Sequence, residues 1–360
     1  MNKNNSKPRT VKLSIIISLT ISIATIIIIS YFTFTEETID QLLNTNIKFE
    51  FFILALLVTV LYWICWGARL QALTNAVDKK VKVSLKECTK IVLANLFLAN
   101  ITPSMAGGEP VRIYLLNKDG IKFGSATAVV LGERLLDAVF LLVCLPFAFL
   151  VFSAYINSTY FMLVLFLAVS VFIVAVVFFG LAIKYPNKVK KILIFFNDKI
   201  GRITKKGVQK RKYFINRINR EVDNFHESMV FFLTKGKLSF LKSFLFTALF
   251  WCIGWIIPIL ILMGLGLGPH VIESSAAQIL LLIVVMMPTT PGSAGVTEGG
   301  MIGLYSVFID NIGLVNVFVI LFRLATYYFG FIVGTIFMQR IFKSVASFSL
   351  DEVKREIPDK

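Results

Sequence analysis

Residues 102–109 read TPSMAGGE, and residues 290–298 read TPGSAGVTE. Each copy is a Thr-Pro, two further residues, an Ala-Gly and a glutamate within three positions of that glycine. In both, an arginine inside a hydrophobic run follows 25 residues after the glutamate: Glu109 leads to Arg134, and Glu298 to Arg323. A lone Thr-Pro or Ala-Gly carries no information. The same string twice, at the same distance from an arginine, reads as an internal duplication, and a repeat of this kind constrains the fold before any local feature does.

The setting of the two copies is a membrane. The chain is 57% hydrophobic and 16% charged, against roughly 45–50% and about 25% for a soluble domain. Its formal net charge of +16 would ordinarily raise nucleic acid as a partner. Here the basic residues flank apolar runs, so orientation and anionic lipid headgroups account for them, and no nucleic acid partner is expected. Cys65, Cys88, Cys144 and Cys252 are scattered without metal-ligand spacing, and His226 and His270 lie far apart. No metal site and no cofactor is expected. A GxxxxGK[ST] string is absent, which excludes ATP hydrolysis of that type.

Loop charges set the expected topology. Residues 13–34 are long enough to span, since roughly 20 apolar residues cross a core of about 30 Å. The run exceeds a signal-peptide core and no small-residue cleavage site follows it, so it reads as an anchor. Lys3, Lys7, Arg9 and Lys12 precede it, and a loop bearing Glu36, Glu37 and Asp40 follows, which puts the N-terminus in the cytoplasm. Residues 49–70 return, with Arg69, Lys79, Lys80, Lys82, Lys86 and Lys90 gathered as a cytoplasmic flank. Residues 91–101 are then too short to cross, at roughly 1.5 Å of rise per helical residue. Pro103, Gly107, Gly108 and Pro110 break them, and 111–116 lead back to Lys118 and Lys122. The reading is a re-entrant helical hairpin over 84–117, entering from the cytoplasm. Residues 125–152 and 161–183 are the next spans.

Residues 184–240 carry 15 Lys/Arg against Asp198, Glu221, Asp223 and Glu227, with Phe214, Ile218, Val222, Phe225 and Met229 at helical spacing. That pattern fits a basic amphipathic helix, lying on an anionic lipid surface or packing on the bundle as a linker. Residues 241–263 span outward. Residues 276–287 are again short, ending at Pro288 and the Pro291, Gly292, Gly295 breaker cluster, and 301–309 lead to a loop without basic residues. This second hairpin, 274–309, enters from outside. Residues 314–338 form the last span, and Arg340, Lys343, Lys354 and Arg355 hold the C-terminus in the cytoplasm.

The expected architecture is an all-α integral membrane protein with about six transmembrane helices and two re-entrant hairpins in an inverted repeat. An N-terminal membrane half occupies 1–183, a basic cytoplasmic segment 184–240, a C-terminal membrane half 241–340 and a tail 341–360. Two broken hairpins entering from opposite faces are the sequence pointer to a transporter with its site near the bilayer midplane.

An arginine at mid-span costs about 2.5–3.5 kcal/mol on the insertion scale, so Arg134 and Arg323 need compensation. Glu109, Glu133, Asp137 and Glu298 are the available counter-charges, and one reading is that these groups only pair and lock the bundle. The functional reading is an anion site. Guanidinium groups bind phosphate bidentately, and a helix starting after a glycine-rich tip aims its positive end at the cavity. Gly107, Gly108, Gly292 and Gly295 would let a headgroup approach the backbone. Thr102, Ser104, Thr290, Ser293 and Thr297 add hydroxyls, with Pro103 and Pro291 forming the breaks.

The strings P-x-x-x-GGEPVR, LGERLLD, PTTPGSAGVTEGG and RLATYY, in that order and over roughly residues 10–345, resemble the transmembrane region of the lysylphosphatidylglycerol synthase/flippase family, which includes flippase-like membrane proteins of archaea and bacteria. The resemblance implies movement of aminoacylated phospholipid, or handling of polyprenyl- or dolichol-phosphate sugars. Glu109, Arg112, Glu133, Arg134, Asp137, Glu298 and Arg323 fall on the motif positions. The family's synthases carry a soluble aminoacyltransferase domain that this sequence is not expected to have, so no catalytic residue is assigned and lysyl transfer is not expected.

The function expected is a multi-pass cell-membrane flippase for a lipid with a phosphate-bearing headgroup. The alternatives are a membrane-embedded transferase on a lipid phosphate, with Glu109 or Glu298 as general base, and a scaffold for a separate lipid-modifying enzyme. Charge reversal in 184–240 would disable a scaffold, whereas product formation by the purified protein would mark a transferase.

Overall fold

The computed structural model describes residues 36–44, 46–77, 81–100, 107–155, 183–203, 208–234, 237–285 and 293–338, with scattered positions between 170 and 181. The span expected at 13–34, most of that at 161–183, the hairpin residues 102–106 and 286–292, and the tail 341–360 lie outside them. The described residues are helical, with no strand among them.

The helices are α1 (Glu36–Asn44), α2 (Phe49–Val77), α3 (Leu85–Asn100), α4 (Gly108–Lys118), α5 (Phe123–Ser153), α6 (Pro186–Ile203), α7 (Val208–Leu233), α8 (Lys237–Gly264), α9 (Val271–Val285), α10 (Val296–Tyr305) and α11 (Ile312–Arg323). A π-helical turn, Leu324–Tyr328, continues α11, and the helix runs on to Met338. Among the described residues, four stretches are long and apolar enough to cross a bilayer: Phe49–Val77, Phe123–Ser153, Phe240–Gly264 and Ile312–Met338.

Their outward faces are apolar. Along α2, Ile53, Leu57, Leu61 and Ile64 are exposed, while Ala55, Trp63, Leu70 and Leu73 are buried. A helix that turns leucine and isoleucine outward at helical spacing is solvated by lipid. The protein is an integral membrane protein.

Three stretches depart from the sequence reading. Glu36 and Asp40, expected in a loop, lie on α1. The second span does not stop at residue 70 but continues as helix to Val77. The 184–240 segment holds two helices rather than one. On α7, Val222 and Met229 are buried and Ile218 and Phe225 half-buried. That face packs on α5: Glu221 Oε2 accepts from Gly124 N–H at 2.8 Å, and the Ser228 hydroxyl meets that of Ser125 at 3.1 Å. Gly124 is required there, because a Cβ would strike the Glu221 carbonyl and the Asn224 side chain. For α7 the apolar stripe therefore faces protein.

The chain divides into two compact units. One comprises residues 1–64, 89–111 and 252–360, and the other 65–88 and 112–251. Each contains its own buried charge cluster.

Candidate functional site: two buried charge clusters

In the unit comprising 65–88 and 112–251, α5 supplies the carboxylates. Glu133 and Asp137 are four apart and so share one face of the helix; both are buried. The guanidinium that binds them comes from Arg69 on α2. Its Nε donates to Glu133 Oε1 at 3.0 Å, and its Nη1 and Nη2 donate to the two oxygens of Asp137 at 2.5 and 3.3 Å. Arg112 on α4 donates to the other Glu133 oxygen. The indole N–H of Trp251 donates to Asp137 at 2.9 Å. Aromatic rings cover the cations, with Arg69 4.7 Å from the Phe250 ring centroid and Arg112 5.3 Å from that of Trp66. Bidentate pairing with aromatic cover is what a buried guanidinium requires to offset desolvation.

Arg134 stands at the edge of this cluster. It contacts Asp137 at 3.7 Å, with its side chain 39% exposed against 2% for Asp137. Arg69, Arg112 and Glu133 side chains are all at 2% or below. One arginine on an apolar span is thus partly exposed beside a buried network.

In the unit comprising 1–64, 89–111 and 252–360, the cluster is smaller. Glu298 is the third residue of α10. One of its oxygens accepts from the backbone N–H of Gly295 at 2.7 Å, and the other meets Arg323 Nε at 2.8 Å. Both side chains are buried, at 3% and 4%. Gly295 adopts φ +81 and Ser293 φ +52. A left-handed backbone is natural for the glycine, while the serine holds it at a conformational cost. The Arg323 guanidinium lies 4.1 Å from the Tyr327 ring centroid. Tyr327 belongs to the π turn, where Phe329 N–H reaches back five residues to Leu324 O. Its hydroxyl donates to Asn100 O at 3.0 Å, and Asn100 Nδ2 donates to Tyr327 O at 3.3 Å. The C-terminal span is thereby tied to the end of α3. Gly334 permits the approach: a Cβ there would lie 2.8 Å from Phe97 N and 2.9 Å from Leu93 O. π turns inside α-helices occur frequently at functional positions.

The sequence-derived candidates separate accordingly. Arg112, Glu133, Asp137 and Arg134 fall in the first cluster, and Glu298, Arg323, Ser293, Gly295 and Thr297 in or beside the second. Glu109 is half-buried in the first turn of α4. Gly108 packs so closely on Asn95 and Ala99 that no side chain fits. Gly107 sits in the turn just before α4, whereas Thr102, Pro103, Ser104, Thr290, Pro291 and Gly292 lie outside the described residues.

Arg69, read from sequence as part of a cytoplasmic basic flank, is instead 1% exposed and central to the first cluster. The aromatic partners Trp66, Phe250, Trp251 and Tyr327 are likewise absent from the sequence-derived site. Their only sequence signal is aromatic residues within a few positions of an intramembrane charge.

The profile of the lysylphosphatidylglycerol synthase TM region matches residues 15–334. The protein belongs to that family. Among its relatives is a UPF0104 membrane protein of Archaeoglobus fulgidus, 30% identical over 89% of this chain and 94% of its own length. A UPF0104 membrane protein of Methanocaldococcus jannaschii is 27% identical over 89% and 93%. One from Methanothermobacter thermautotrophicus is 26% identical over 76% and 78%. No solved structure matches the chain.

Proposed function

We propose that this family member is a flippase: it moves a lipid with a phosphate-bearing headgroup, such as an aminoacyl-phospholipid or a polyprenyl- or dolichol-phosphate-linked lipid, across the cell membrane. The two hairpins form an inverted repeat that enters the membrane from opposite faces, with both termini cytoplasmic and the basic residues of 184–240 facing anionic lipid. The protein acts as a transporter rather than an enzyme, and where aminoacyl lipid is its cargo a separate enzyme makes it.

The observation that carries the reading is Arg134. Ionisable groups inside a membrane mark transport pathways when they line a route rather than only closing on one another. Arg134 lies on an apolar 31-residue helix, and its side chain is 39% exposed while the four charges beside it are buried. A guanidinium presents a planar fork that suits phosphate.

The test is translocation of fluorescent phospholipid and polyprenyl-phosphate reporters in proteoliposomes. The wild-type protein is expected to move at least one anionic reporter and to leave a zwitterionic control in place. A panel in which nothing moves would overturn the proposal.

A further inference from the structure

We infer that Glu298 is a tethered stand-in for a phosphate anion, and that a phosphate monoester or diester displaces it from the start of α10. This rests on the transport reading and locates its second anion site.

Glu298 occupies two positive features at once, the guanidinium of Arg323 and the N-terminal backbone of α10 at Gly295. Those are the features that hold a phosphate at a helix N-terminus. Two further donors stand in the same turn without a function in the closed arrangement. Ser293 Oγ and Thr297 Oγ1 are 0% and 6% exposed at residue level, and neither has a hydrogen-bond partner among the described residues. The two are one turn apart, with Thr297 N–H donating to Ser293 O at 2.9 Å. A buried hydroxyl without a partner is costly and calls for an explanation. Ser293 is held there in a left-handed backbone conformation, φ +52. Beside them Gly295 faces open space, because a Cβ would meet nothing within 4 Å.

A carboxylate has two oxygens and both are engaged by Arg323 and Gly295. A phosphate has more acceptors, so it can take the guanidinium and both hydroxyls together. Glu298 would then neutralise Arg323 when the site is empty and yield when an anion arrives. Competition of this kind keeps the buried arginine paired in both states.

The test uses the full chain in neutral detergent and measures binding as the ligand-dependent shift of the thermal unfolding midpoint. The probes are inorganic phosphate, glycerol 3-phosphate and phosphatidylglycerol in mixed micelles. Glu298→Gln is expected to bind phosphate-bearing probes at least threefold tighter, and Ser293→Ala/Thr297→Val at least threefold weaker. Glu298→Asp keeps the charge but withdraws it by one methylene, and should lie between wild type and Glu298→Gln; it serves where the amide variant is poorly folded. Binding of glycerol 3-phosphate as well as the lipid would assign recognition to the phosphate group; binding of phosphatidylglycerol alone would assign it to the lipid, and either supports the site. Unchanged or weaker binding in both Glu298 variants, or no effect of the hydroxyl variants, would overturn it, leaving water as the partner of Ser293 and Thr297. Translocation that needs Arg134 but ignores Ser293 and Thr297 would sink this inference and spare the flippase. Binding as expected with no lipid moved would do the reverse.

Discussion

The two motif copies keep the arginine and differ in how they neutralise it. In the C-terminal copy the motif's own glutamate does so: Glu298 pairs with Arg323, 25 residues on. In the N-terminal copy Arg134 contacts Asp137 at 3.7 Å, and the carboxylates of α5 are bound by Arg69 and Arg112. Neither has a counterpart in the other copy. Met301 stands three residues after Glu298, where Arg112 stands three after Glu109. Phe322 and Thr326 take the places of Glu133 and Asp137. The spacing from the motif glycine differs as well, two residues from Gly107 to Glu109 and three from Gly295 to Glu298. At about 100° per helical residue that single step swings the carboxylate to another side of the turn. Only the longer spacing places it at the third helical position, from which it reaches back to the residue before the helix. The two copies thus carry one arginine closed by a local one-to-one pair and one set beside a network of further charges.

The sharpest way to break this contrast is Arg69→Leu. It would leave Glu133 and Asp137 buried without their main partner, and removing one side of a buried ion pair costs about 3–5 kcal/mol. A large drop in melting temperature in detergent is expected, and a melt like wild type would mean that the first cluster is not held as described. Glu298→Gln should cost less, about 1.5–3 kcal/mol, because the amide oxygen still accepts a hydrogen bond while the charge is lost. Gly334→Ala tests the seat of the C-terminal span on α3. Overpacking against backbone atoms costs about 1–3 kcal/mol, read in the same melts. Tyr327→Phe removes one hydrogen bond to Asn100, worth about 1 kcal/mol, and keeps the ring over Arg323. Arg134→Gln should barely move the melting temperature, by less than about 1 kcal/mol, because its pair is long and partly exposed.

The second cluster was largely legible in the sequence, since the 25-residue interval joined Glu298 to Arg323 and the glycine before the helix marked its start. The first was legible only in part. Glu133, Asp137 and Arg112 stood out as charges in apolar surroundings, but Arg69 did not. A basic residue followed by lysines reads as a flank under the positive-inside rule, and nothing local reveals carboxylates 64 and 68 residues away. The seven residues by which α2 outruns its apolar stretch carry no signal of their own, because they are helical through packing rather than hydropathy. The 184–240 segment shows the same limit: a stripe of Val222 and Met229 looks alike whether it meets lipid or the face of α5.

The central claim is that the N-terminal arginine serves transport while its neighbours serve stability. The most direct test is lipid translocation by Arg134→Gln in proteoliposomes, scored beside its thermal melt. The account predicts a variant that melts like the wild type and has lost translocation of the anionic reporter. A folded Arg134→Gln protein that moves that reporter at the wild-type rate would contradict it, and the charges of α5 would then be structural.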